Sequence, residues 1–515
     1  MDTLLPPLIR ALLDPARYPD RPNRVELLQT HGAWVLLAGR SAYKIKKPVR
    51  LSFMDFSTLA LRQAACQAEL RVNRRFTVDR PAQQLYTEVL PIVGTPDAPR
   101  WGQPGRDDGQ AIEFAVHMRR FDEAGRLDHV CQRGELQAQH LVQLAQRLAA
   151  FQASAAVAPA HQPWGQPDTV HAVVRDNLDA LRPLLTEASD LALLQDIDSW
   201  GTAQWPQLAQ CLAERRRQGR VREGHGDLHL ANLVLIGGEV VPFDAIEFND
   251  ALRWVDVASD LAFTWMDLHR MGQAGLAHVL LSEWTDASGD VSAPQVLPFF
   301  AVYLSVVRAK VAAIRRDQLG AGDACGRAAC DAEIRQYLRL AQSLARPEAP
   351  RLLITHGLSG CGKSHAALQW LLQCRGSHAL RLRSDVERKR LHGLAPLQSS
   401  DPSQRALFYG PQAGAQTYAA LRQRADELLR QGWTVLVDAA FLRRHERDAF
   451  AELARARGCP FGILAPQAPI EVLRQRIAAR QSAGQDPSEA TLEVLTQQLQ
   501  WIEPLGDDEP RLPLQ

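Results

Sequence analysis

At 515 residues the chain is too long for one ordinary hydrophobic core, so two or three domains are expected. Its 59 basic and 58 acidic residues leave a formal net charge of +1, which excludes bulk electrostatic attraction to nucleic acid or to an anionic membrane. Eight scattered cysteines form no CxxC pair and no signal peptide is evident, so reduced thiols and a cytoplasmic location are expected.

Only six of the basic residues are lysines: Lys44, Lys46, Lys47, Lys310, Lys363 and Lys389. Lysine persists against such an arginine bias where a compact, flexible ammonium is needed, so these positions carry information. Residues 32–38 and 41–47 read as strands joined at Gly39-Arg40 in a hairpin. Alternation along the second strand puts Lys44 and Lys46 on one face. A charged helix is expected over 57–76, then strands over 85–93 and 111–118, with a polar Gly/Pro-rich loop at 94–110 between them. From about residue 135 the apolar spacing turns helical, with Leu136, Leu141, Leu144 and Leu148 at intervals of three to five. The longest apolar run, Val296 to Val307, is too short to span a bilayer and reads as a buried helix, so no membrane partner is expected.

The strongest signal of this half is His225-Gly-Asp-Leu-His-Leu-Ala-Asn232, followed by apolar 233–236, a turn at Gly237-Gly238, and Val240-Val-Pro-Phe-Asp244. Phosphoryl transfer needs a group to orient or deprotonate the acceptor hydroxyl, hard oxygen ligands for Mg²⁺, and a cation on the phosphates. Asp227 suits the first role, and Asn232 and Asp244 suit metal ligation. HGDLHLAN followed by FDAIEF resembles the aminoglycoside phosphotransferase/choline kinase branch of the protein-kinase-like fold, and most of all its fusions to a P-loop ATP-binding domain. That resemblance implies a phosphate-binding lysine on the third strand paired with a glutamate on the following helix. Lys44 is favoured, with Ala42 leaving room for adenine; Lys46 remains an alternative, and Glu69 is the expected partner. It further implies an interlobe hinge at 113–121 and supporting carboxylates at Asp256 and Asp260.

A Pro-bounded linker at 346–350 precedes an apolar strand and then Gly357-Leu-Ser-Gly-Cys-Gly-Lys363-Ser364, a full match to G-x-x-x-x-G-K-[ST] between a strand and a helix. Gly357, Ser359, Gly360, Cys361 and Gly362 would cradle phosphate with Lys363, and Ser364 would ligate Mg²⁺. Cys361 reads as a small side chain that fits the loop. Ala379–Asp385 is a strand ending in Arg-Ser-Asp, with Arg388 beyond. It resembles the phage polynucleotide kinase, zeta-toxin and chloramphenicol phosphotransferase group, which implies Asp385 as base and Arg388 as a substrate contact. A helix N-cap at Ser384/Asp385 competes with that role. Asp438 ends a Walker-B-like strand. Arg476 and Arg480 share a helix face and either clamp phosphate or face solvent.

The expected fold is thus an α+β protein-kinase-like two-lobed domain of the aminoglycoside phosphotransferase type at 1–345 (small lobe 1–118, helical lobe 122–345), followed by an α/β P-loop NTPase domain with a parallel sheet at 351–515. The expected cofactors are ATP and Mg²⁺ at both sites, and the expected partners are small-molecule hydroxyl substrates rather than nucleic acid. The competing readings are a nucleotide-gated regulator and a toxin-like kinase of nucleotide-sugars or RNA 5′-hydroxyls.

Overall fold

The computed structural model describes residues 5–51, 54–320, 322–396, 398, 410–483 and 488–513. Contacts divide the chain into two compact units: Met1–Leu136 with Ser154–Gly165 and Gln218–Asp260, and Gln137–Ala153 with Gln166–Arg217 and Leu261–Gln515. The division does not fall at 346–350. Helices that precede the linker belong to the same unit as the P-loop segment.

The first unit is built on an antiparallel sheet. Its strands are β1 (Val25–Gln29), β2 (Ala33–Ala38), β3 (Ser41–Lys46), β6 (Tyr86–Thr95), β7 (Ala98–Trp101) and β8 (Glu113–Arg119), ordered β1-β2-β3-β8-β6-β7. A two-residue pair, β4 (Arg50–Leu51) and β5 (Met54–Asp55), lies outside it. The hairpin at Gly39-Arg40 is as expected, with Gly39 at φ 60° closing the turn from Ala38 to Ser41. The loop expected at 94–110 instead contains β7, paired with β6 from Ile92↔Trp101 to Thr95↔Ala98. Trp101 stacks on Tyr43 at 4.5 Å, and this aromatic packing holds a polar segment in strand form. The Leu59–Arg74 helix carries Glu69. The unit is completed by β9 (Val221–Glu223), the hairpin of β10 (Leu233–Ile236) and β11 (Glu239–Pro242), and β12 (Trp254–Asp256), which pairs with β9.

The second unit contains a parallel sheet of β13 (Leu352–Thr355), β14 (Ala379–Arg383), β15 (Thr434–Asp438) and β16 (Phe461–Leu464), ordered β14-β15-β13-β16. β13, β15 and β16 are almost wholly buried, as a parallel sheet requires. The apolar run at Val296–Val307 lies within the Ala293–Gln318 helix, which is long and apolar enough to cross a membrane by composition. It instead buries most of that stretch against the helices Pro167–Leu181, Ala188–Arg217 and Ala324–Ala345.

The Ala274–Ser288 helix packs directly on the P-loop fold, along edge strand β14 and the Lys363–Gln373 helix. Four contacts fix it. A Cβ on Gly275 would lie 2.2 Å from the Leu372 carbonyl oxygen, so only glycine permits the approach. His278 Nε2 meets the Gly376 carbonyl at 2.9 Å. The Ser282 hydroxyl accepts the Arg381 backbone N–H at 3.0 Å, and Glu283 pairs with the Arg381 guanidinium. An edge strand thereby gains a partner for an otherwise open N–H. Gly275→Ala is expected to destabilise the full chain by about 1–3 kcal/mol through overpacking. Gly201→Ala, in a helix with open space at the Cβ, is expected to be neutral or stabilising. Urea unfolding midpoints check both.

Candidate functional sites

In the first unit both lysines of β3 point at Glu69, which is completely buried. Lys44 Nζ lies 2.8 Å from Glu69 Oε1 and 2.6 Å from Asp244 Oδ1. Lys46 Nζ lies 2.5 Å from Glu69 Oε2, an ion-pair contact off hydrogen-bond alignment, and it also pairs with Glu247. Burial would lower the Lys44 pKa, but the Asp244 and Glu69 carboxylates outweigh it and hold the ammonium well above its usual value. Burial raises Glu69 and the two ammoniums pull it back below the ordinary carboxylate range. The two lysines differ in exposure. Lys46 is sealed at 1 % exposure. Lys44 reaches Asp244, whose side chain is 45 % exposed and so can meet a ligand. Lys47 points away, onto the Thr30 carbonyl and over the Trp34 ring.

Asp227, Asn232 and Asp244 are drawn together by backbone bonds. The Phe243 N–H donates to the Asn232 carbonyl at 3.0 Å, and Ile246 N–H to the His225 carbonyl at 3.0 Å. Asn232 Nδ2 donates to the Asp227 carbonyl oxygen at 2.9 Å and to Asp227 Oδ2 at 3.0 Å, which leaves the amide oxygen as the end suited to a cation. Asp244 adopts φ 61°, a left-handed conformation uncommon outside glycine. Its N–H donates to the Tyr86 hydroxyl at 3.0 Å, and the next N–H to Asn73 Oδ1 at 2.9 Å, which pins that conformation.

Below this loop His225 is fully buried, with Nε2 2.9 Å from the Phe243 carbonyl and Nδ1 3.3 Å from the Asp227 N–H. Burial pushes its pKa down to about 4, so it is a neutral strut. Asp260 accepts the N–H groups of His225 at 2.7 Å and Gly226 at 2.8 Å, which is the supporting role expected of it. Asp256 caps the next helix through the Ala258 N–H. Glu223 gathers Arg71, Arg75 and Arg253, so the helix bearing Glu69 is tied to the strand that enters the Asp227 loop.

In the second unit the P-loop turns from β13 into the Lys363–Gln373 helix, with Gly360 and Gly362 at φ 84° and 101°. A cavity of about 280 Å³ opens at this helix start, lined by Ser359, Gly360, Gly362, Lys363 and Ser364 of the loop and by Asp385, Arg388, Asp438 and Arg476. Lys363 Nζ donates to the carbonyls of Gly357 at 2.9 Å and Leu358 at 2.8 Å. Arg388 holds Asp385 at 2.8 Å. Burial raises Asp385, but Arg388 and Arg383 pull it below the usual range, so it is a carboxylate. The N-cap of its helix is Arg383 with no side-chain cap bond, so the capping role expected of Ser384/Asp385 is not seen. Asp438 Oδ2 is buried without a hydrogen-bond partner among the described residues, so it has acceptor capacity to offer a cation or a water. Arg476 reaches the Gly360 carbonyl at 3.2 Å. The Arg480 side chain lies outside the described residues. Cys361 packs its thiol with Leu473, Ile477 and Leu495, leaving only backbone to offer a phosphate.

Several residues of these sites escaped the sequence reading. Glu247 carries a signal, three residues after Asp244 in FDAIEF. Tyr86, Asn73 and Gln498 do not. Gln498 accepts the Ser359 N–H of the P-loop at 2.8 Å from a helix more than a hundred residues downstream.

Residues 352–505 match the AAA domain family, which identifies a P-loop NTPase-like domain there. Over 470 residues the chain is 27% identical to uncharacterized proteins of Mycobacterium tuberculosis and Mycobacterium bovis, covering 91% of this chain and 88% of each of theirs. Among solved structures it resembles a choline/ethanolamine kinase family protein from Mesorhizobium loti, with 13% identity and TM-score 0.36 over 65% of this chain and 98% of that one. A choline kinase from Cryptosporidium parvum gives 9% identity and TM-score 0.39 over 65% of this chain and 95% of that one. At these values the structural resemblance says nothing of an acceptor.

Glu223 generates a stability prediction. Burial would raise its pKa, but Arg71, Arg75 and Arg253 lower it to about 2. A depressed carboxylate contributes stability above its unfolded pKa and loses it as pH falls, here between about 4.5 and 2 and worth about 3 kcal/mol. Glu223→Gln is expected to cost about 3 kcal/mol at neutral pH by removing the carboxylate shared by buried Arg253 and part-buried Arg75, and to flatten the acid limb over that window. Denaturant titrations at several pH values measure both.

Proposed function

We propose that the chain is a bifunctional ATP-dependent phosphotransferase that moves the γ-phosphoryl group to hydroxyl groups of small molecules, with one active site in each unit. The observation that carries the first site is Lys44 Nζ held between Glu69 and Asp244, on the same unit as the Asp227–Asn232 pair. Asp227 orients and deprotonates the acceptor hydroxyl. Lys44 steadies the nucleotide phosphates, and Glu69 and the sealed Lys46–Glu247 pair keep it aimed. Asp244 with the Asn232 amide oxygen would hold Mg²⁺, and these hard oxygens suit that ion. In the second site the P-loop N–H groups and Lys363 bind phosphate, Ser364 and Asp438 would hold Mg²⁺, Asp385 takes the hydroxyl proton, and Arg388 and Arg476 counter the charge of the transferring group. Bound Mg²⁺ supplies charge neutralisation on the phosphate oxygens at each site.

The nucleotide-gated regulator remains a second reading for the P-loop unit. It is favoured by Lys363 Nζ being engaged on the carbonyls of its own loop and by Gln498 on the Ser359 N–H. Terminally labelled ATP, incubated with a fractionated metabolite pool and each of four proteins, separates the readings. Wild type is expected to give two classes of labelled product. Asp227→Asn is expected to lose one class and Lys363→Met the other, each by on the order of 10²–10⁴-fold. An Asp385→Asn variant with undiminished labelling would transfer the P-loop unit to the regulator reading.

A further inference from the structure

We infer that the acceptor of the P-loop site is a polyhydroxylated small molecule of monosaccharide or cyclic-polyol size, held in a second cavity that the Ala274–Ser288 helix completes with Thr285 and Asp286. The inference rests on the phosphotransferase reading of the P-loop unit and names the substrate class of that site.

The cavity measures about 210 Å³ and is lined by Thr285 and Asp286 on one side and by Arg383, Glu387, Arg390 and Arg424 on the other. It is smaller than the roughly 300–1,000 Å³ of sites for drug-sized ligands, which sets the ligand at the scale of a single sugar ring. Arg383 lines this cavity and also the P-loop cavity, two residues before Asp385. The two cavities are therefore neighbours on either side of Arg383, at the start of the Ser384–Leu391 helix that carries Asp385.

Three residues of these walls each carry a buried polar atom without a hydrogen-bond partner among the described residues: Thr285 Oγ1, Asp286 Oδ2 and Arg424 NH2. Unmade bonds at buried polar atoms cost about 1–3 kcal/mol each, so their concentration at one cavity points to a ligand that makes them. Thr285 is 6 % exposed. The Arg381 guanidinium is 4.0 Å from Asp286 Oδ2, beyond hydrogen-bond reach. Arg424 already spends NH1 on Glu387 at 2.8 Å, which leaves NH2 as the free donor.

The ligand chemistry follows from what these atoms require together. Asp286 needs a donor, Arg424 needs an acceptor, and Thr285 takes either. A hydroxyl is both donor and acceptor, so an array of hydroxyls satisfies all three. An anion would meet Asp286 and Glu387, and a cation would meet Arg383, Arg390 and Arg424, so neither sign is matched. Burial, the largest influence, pushes the Asp286 carboxyl up to about 7 against Arg381 and Arg383, with Glu283 and Asp438 adding to the rise. A group near that balance serves a hydroxyl as acceptor or donor. The position of Thr285 and Asp286 is not fortuitous, because Gly275, His278 and Ser282 lock their helix to the P-loop fold and Gly289 at φ 64° ends it there.

In the transfer the acceptor hydroxyl oxygen bonds to the γ-phosphorus as the bond from that phosphorus to the bridging oxygen breaks. The hydroxyl proton passes to Asp385, and ADP leaves. The test uses the full chain carrying Asp227→Asn, so that only the P-loop site transfers phosphate. Labelled ATP is supplied with a panel of aldohexoses, pentoses and inositols, and in parallel with a metabolite extract. The expected result is Lys363-dependent labelling of a panel member, with Asp286→Asn and the near-isosteric Thr285→Val each raising KM for that acceptor at least tenfold while KM for ATP is unchanged. Unchanged acceptor KM in both variants, or Lys363-dependent label only on extract compounds that lack a hydroxyl array, overturns the pocket. Absence of Lys363-dependent label on panel and extract alike overturns the phosphotransferase reading beneath it.

Discussion

An ammonium ion cannot be buried without carboxylates to compensate it, and the first unit is organised around that constraint. Lys44 and Lys46 bring two positive charges into the interior of a sheet, and Glu69, Glu247 and Asp244 answer them. The arrangement is graded rather than uniform. Lys46 and Glu247 are sealed, Glu69 is shared, and Lys44 with Asp244 forms the more exposed end. Everything nearby serves to hold that gradient: Glu223 clamps the Glu69 helix through three arginines, and His225 and Asp260 brace the loop that presents Asp227.

The second unit gathers charge of the opposite balance. Backbone N–H groups at a helix start, a lysine and three arginines line one hollow, together with two carboxylates, Asp385 and Asp438. Asp438 carries a buried oxygen with no partner among the described residues, which is a cost to the fold as it stands. The fold around it extends beyond the matched AAA domain segment, because the Ala274–Ser288 helix covers the edge strand and brings polar groups to the cavity next door.

What was legible in the sequence was whatever local spacing encodes. HGDLHLAN and the P-loop each place several functional atoms within eight residues, and the strand and helix around Lys44 and Glu69 follow from alternation and periodicity. The Gly39-Arg40 turn was legible for the same reason. What was illegible depends on partners distant in the chain. β7 is held by the stacking of Trp101 on Tyr43, a contact that a polar, glycine-rich composition conceals. The difference in exposure between Lys44 and Lys46 was hidden as well, because both residues share a face and alternation cannot separate them. The helix docked on β14 declares itself only through Gly275, whose need for a bare backbone appears once Leu372 is beside it.

The central claim, two separate nucleotide-phosphate sites on one chain, is tested most directly by equilibrium binding of a non-hydrolysable ATP analogue with Mg²⁺. The account predicts two equivalents per chain for wild type and one each for Lys44→Met and Lys363→Met, with none for the double variant. A single equivalent in wild type, or two retained in both single variants, would contradict it.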